Sequence, residues 1–95
     1  MVVIKLKTSA QQAFPEKYNA LNDFYKDINT YEEISFEYCK QKFLVTYYDN
    51  KLSVAEYNKP DTEQFFKSPE DFAENFRIDN IRFQDFVTKI SVLIR

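Results

Sequence analysis

The chain has 95 residues and a formal charge of −2, is 18% aromatic (10 Phe and 7 Tyr), and contains neither glycine nor histidine. The missing histidine removes the base of a Ser–His relay and the usual zinc ligand. The missing glycine removes loops whose backbone cradles a phosphate closely. An even charge balance also argues against a general nucleic-acid binder, which needs a basic excess, and against an acidic nucleic-acid mimic.

This length fits one core, so a single α+β domain over residues 1–95 is expected. The lone Cys39 cannot form an internal disulfide or a cysteine metal cage and suits a reducing cytoplasm. Residues 1–7 alternate apolar with basic, unlike a signal peptide, and no apolar run is long enough to span a bilayer. A cytoplasmic protein with no membrane partner is expected.

In chain order, Val2, Ile4 and Leu6 alternate with Lys5 and Lys7 as in a half-buried strand. The polar stretch Thr8 to Gln12 follows, with Ser9 able to cap a turn. Pro15 suits a first helical turn. Phe14, Tyr18, Leu21, Tyr25 and Ile28 then form one stripe of a helix from about Pro15 to Ile28, closed by Asn29 and Thr30. Ile34, Phe36 and Tyr38 alternate with polar residues, as do Phe43, Val45 and Tyr47, then Leu52 and Val54. Turns at Lys40-Gln41 and Asp49-Asn50-Lys51 join these runs into a three-stranded antiparallel meander, about Glu32 to Tyr57. Without glycine, left-handed turn positions fall to Asn and Asp, and Asn50, Asn58 and Asn80 are the expected ones.

Asn58 to Asp61 reads as a loop. Ser68-Pro69-Glu70-Asp71 is the strongest local signal: an N-cap, a proline at the first helical position and an acid three residues after the cap. Phe72 and Phe76 place a short helix there. Arg77-Ile78-Asp79-Asn80 breaks it and recaps a last helix with the stripe Phe83, Phe86, Val87, Ile90 and Leu93 or Ile94. The order is β-α-β-β-β-α-α. The fold is a small antiparallel sheet, extended by the N-terminal strand if that joins, packed against about three helices on one face.

From Ile34 onward this layout resembles that of short proteins of Gram-positive bacteria and their phages or mobile elements. Those have a small meander, a start like Ser68-Pro69-Glu70-Asp71, a segment like Asn75-Phe76-Arg77-Ile78-Asp79-Asn80 and a final short helix. The likeness spans about residues 34–94, with Asn80 where that pattern has glycine. It implies an accessory or mobile-element protein and brings no site residues.

Catalytic chemistry finds little footing. Glu70 and Asp71 oppose the positive end of a helix, and Glu32 and Glu33 point to opposite sides of a strand. Calcium-loop spacing is missing around Asp49, Asn50 and Asp61-Thr62-Glu63. Cys39 has no base and reads as a bystander thiol. No enzyme activity, metal or cofactor is expected.

Aromatic residues carry the functional reading. Phe36, Tyr38, Phe43 and Tyr47 suit the core, whereas Tyr48 and Tyr57 fall on the other parity. Of adjacent Phe65 and Phe66 both cannot face inward, and Phe65 is the contact candidate. Asp61, Glu63, Glu70, Asp71 and Glu74 concentrate acid around a single Lys67, and residues 27–37 hold four acids and no base. Exposed Tyr and Phe with an acidic rim suit a protein partner. The expected function is a non-enzymatic protein-binding module of the small inhibitor, immunity or anti-defence kind, occluding a partner's surface. The alternative is a nucleic-acid accessory protein stacking bases on exposed Tyr beside Lys40, Lys42 and Lys51. An open sheet edge could also pair two copies into a homodimer.

Overall fold

The computed structural model describes residues 17–94. The expected N-terminal strand, Ser9, Phe14 and Pro15 lie outside them. The elements are α1 (Leu21–Tyr31), β1 (Glu33–Tyr38), β2 (Gln41–Tyr48), β3 (Lys51–Glu56), β4 (Lys59–Phe66), α2 (Pro69–Asn75), β5 (Arg77–Ile78), β6 (Ile81–Arg82), α3 (Phe83–Phe86) with a 3-10 turn (Val87–Lys89), and β7 (Ser91–Ile94). This is the expected α+β class. Its main sheet has five strands in the order β4-β3-β2-β1-β7, and β5 pairs with β6 as a separate small hairpin. Every ladder is antiparallel.

Tight turns make the meander possible without glycine. Cys39-Lys40, Asp49-Asn50 and Asp79-Asn80 each carry positive φ at both central residues, as two-residue type I′ hairpins require. Asn58 supplies the left-handed residue between β3 and β4. The three expected asparagines are therefore all left-handed. Cys39 sits within a turn and is exposed.

Alternation along β1, β2 and β3 sends Ile34, Phe36, Phe43, Val45, Leu52 and Val54 into the core. Val92, paired with Phe36, extends that layer onto β7. The helices cover the same side: Phe24, Ile28, Phe72, Phe83 and Phe86 join these strand residues in one buried cluster. Aromatic rings dominate it. Phe83 lies 4.7 Å from Phe24 and 4.6 Å from Phe72, and Tyr38 stacks on Phe86 at 4.3 Å. Offset and edge contacts of this kind add about 0.5–1.5 kcal/mol each beyond the area they bury.

Four expectations are corrected. The first helix begins at Leu21 and runs to Tyr31, because Glu32 rather than Asn29-Thr30 takes the left-handed C-cap and donates its N–H to the Ile28 carbonyl at 3.0 Å. Tyr18 is buried before the helix starts, and the deepest face of α1 centres on Phe24 and Ile28, leaving Leu21 and Tyr25 at its margin. Glu32 consequently lies outside the strand that holds Glu33. The turn expected at Lys40-Gln41 sits one residue earlier. The third and larger correction is that the meander has four strands: the supposed loop ends at Asn58, and β4 follows, with Pro60 tolerated on an edge strand. The last is that Asp79 and Asn80 turn the β5–β6 hairpin instead of capping the final helix, which is entered from Arg82 and stops at Phe86. Phe83, Phe86, Val87 and Ile90 are buried as expected, but Ser91–Ile94 forms a strand along β1, leaving Leu93 and Ile94 exposed.

Candidate binding face

Packing all helices on one side leaves the outward side of the sheet uncovered among the described residues. Strand parity decides what it presents. On β2 the outward residues are Lys42, Leu44, Thr46 and Tyr48, and on β3 they are Lys51, Ser53 and Ala55. Ser53 registers with Phe65 on β4, and Leu52 with Phe66. Phe66 therefore turns inward onto Phe72 and Phe76, while Phe65 turns out.

Tyr48 is 74% exposed and Phe65 59%. Tyr48 stands across from Lys51, whose ammonium lies over the Phe65 ring, 5.4 Å from its centroid. The Glu63 carboxylate accepts the Ser53 hydroxyl at 2.5 Å. Tyr48, Lys51, Phe65 and Glu63 thus form one corner of the outward face.

Tyr57 belongs to the same face at the β3–β4 turn. Its hydroxyl and the Ser35 Oγ are 2.6 Å apart, which pairs a serine that is otherwise buried to 1% exposure. Leu44, Ala55, Tyr57 and Pro60 line a shallow groove of about 310 Å³ beside it. Asp61 is exposed where the β3–β4 register is interrupted, and Thr62 bridges that irregularity by accepting the Glu56 N–H and donating to the Lys59 carbonyl.

The remaining acids sit elsewhere. Glu70, Asp71 and Glu74 belong to α2, on the helical side of the sheet. Asp71 serves the helix start: Ser68 Oγ accepts its N–H at 3.0 Å, and its carboxylate accepts the Lys67 N–H at 2.9 Å and Asn75 Nδ2 at 2.7 Å. Burial, and then the negative charges of Glu70 and Glu74, raise the Tyr25 phenol above its ordinary value. Burial, followed by the neighbouring Cys39, does the same for Tyr38. Of the eight candidate contact residues, the fold gathers Tyr48, Tyr57, Asp61, Glu63 and Phe65 on β2, β4 and the turn before β4, and leaves the three α2 acids apart.

Sequence reasoning passed over Leu44, Ser53 and Ala55, whose outward parity was readable, and Leu93 and Ile94, which it assigned to a helix. Gln41, Thr62, Gln64, Glu56 and Arg77 rim a second cleft of about 250 Å³ floored by Phe43 and Phe76. Among the described residues no group of three or more Cys, Asp and Glu could hold a metal ion, and no helix is long and apolar enough to cross a membrane. No protein-family model matches the chain, and neither curated proteins nor solved structures gave a significant match.

Proposed function

We propose that the protein is a non-enzymatic protein-binding module that occludes a partner through the outward face of its sheet, as a small inhibitor, immunity or anti-defence protein would. The observation that carries this reading is one-sided packing: with the helices all on the other side, Tyr48 and Phe65 stand exposed on the outward face of the sheet. Large aromatic side chains cost little conformational entropy to dock and dominate interface energetics. The same face carries Glu33, Glu37 and Glu63 against Lys42 and Lys51, a balance that suits a protein partner better than a polyphosphate.

The test is capture of partners from host lysate with the tagged chain, with and without nuclease. A stoichiometric, nuclease-resistant partner is expected, lost with Tyr48→Ala plus Phe65→Ala and retained with Glu70→Gln plus Glu74→Gln. Retention after the aromatic changes in a folded protein would assign binding to another surface. Recovery that disappears with nuclease would move the protein among nucleic-acid accessories.

A further inference from the structure

Resting on that reading, we infer that the corner around Phe65 is a seat for an arginine side chain of the partner, and that Lys51 fills this seat in the free protein. A cation is already there: the Lys51 ammonium lies 5.4 Å from the Phe65 ring centroid, inside the ~6 Å over which a ring quadrupole holds a positive charge. Among the described residues Lys51 forms no ion pair, although acids lie close by in the fold. The ring is its partner.

The surroundings suit a stronger guest. Phe65 and Tyr48 are both largely exposed, so a guest can reach them from solvent once Lys51 moves aside. Glu63 lies on the same side of β4, its carboxylate oriented by Ser53, and Ser53 is the cross-strand neighbour of Phe65. Exposed Asp49, in the turn before Lys51, adds negative charge. A guanidinium can stack flat on a ring while its N–H groups reach a carboxylate, which a single ammonium cannot do as well. β4 is also the edge of the sheet, so a partner segment can approach from the side. The lysine needs only to swing its exposed stem into solvent to vacate the ring.

The full chain, isotope-labelled, is titrated with a capped Ala-Arg-Ala-Arg-Ala peptide and with its neutral citrulline counterpart, following amide and ring resonances. Saturable shifts confined to Tyr48, Lys51, Glu63 and Phe65 are expected with the arginine peptide alone. Lys51→Ala should tighten binding about two- to fivefold, the range a surface cation–π contact spans. Lys26→Ala, which makes the same change of net charge from exposed α1, should leave it unchanged. Phe65→Ala and Glu63→Gln should each weaken it.

Equal tightening by Lys26→Ala would reduce the effect to net charge and overturn the seat. So would equal binding of the citrulline peptide, or no saturable shift even with Lys51→Ala. Binding of oligothymidylate at the same residues, weakened by Lys51→Ala, would make the corner a base-stacking platform instead. A lysate partner that is lost with Phe65→Ala while the peptide fails to bind would leave the docking face standing and remove only the arginine.

Discussion

Glu32, Cys39, Lys40, Asp49, Asn50, Asn58, Asp79 and Asn80 all hold positive φ. Asn and Asp accept that conformation because their short side chains bond to nearby backbone. Cys39, Lys40 and Glu32 have no such compensation, and each sets a Cβ against the following carbonyl. Lys40→Gly should therefore stabilise the protein by about 1 kcal/mol, seen as a higher urea midpoint at unchanged slope. A lower midpoint would mean that the Lys40 side chain makes a contact worth more than the strain. The same chemistry explains which turns were legible. Asn50, Asn58 and Asn80 announce themselves by residue type, whereas nothing in Cys-Lys signals a turn, and the reading slipped one residue to Lys40-Gln41.

Short elements here depend on their ends. With seven residues, α2 is far below the length at which an isolated helix persists, so its cap and the burial of Phe72 and Ala73 hold it. Ser68→Ala removes the acceptor of the Asp71 N–H and should cost about 1 kcal/mol, measured by thermal or chemical denaturation. Ser68→Asp should restore most of that loss, since a carboxylate caps as well. This start was readable because capping is local chemistry. β4 was not: it lies at the edge, most of its residues are exposed, and it shows no apolar alternation to betray a strand. β7 failed for a different reason. A short run such as Val92-Leu93-Ile94 has no period long enough to separate strand from helix, and its partner β1 lies far back in the chain.

At the scale of the molecule, α1 and α2 lie side by side in the helical layer, where Tyr25 faces burial and the charges of Glu70 and Glu74. A phenol whose folded pKa is raised above the ordinary 10.0 holds its proton more tightly in the native state. Its contribution is complete below pH 10 and is lost as pH climbs through the raised value. Tyr25→Phe should accordingly reduce the fall in Tm as pH rises above 10; an undiminished fall would assign the alkaline limb to other groups, Tyr38 first. The candidate face was legible as parity, which set Tyr48 and Tyr57 apart from Phe43 and Tyr47. It was not legible as a place, because only the packed fold separates Glu63 from Glu70 by a sheet. The joining of β1 to β7 also sets an order of assembly. Four strands are linked by short turns and can zip from neighbour to neighbour, but β7 meets Phe36 only through Val92, after the chain has traversed α2, the β5–β6 hairpin and α3. Closing so long a loop costs entropy that only the finished core returns. The last strand should thus be the latest to arrive during refolding.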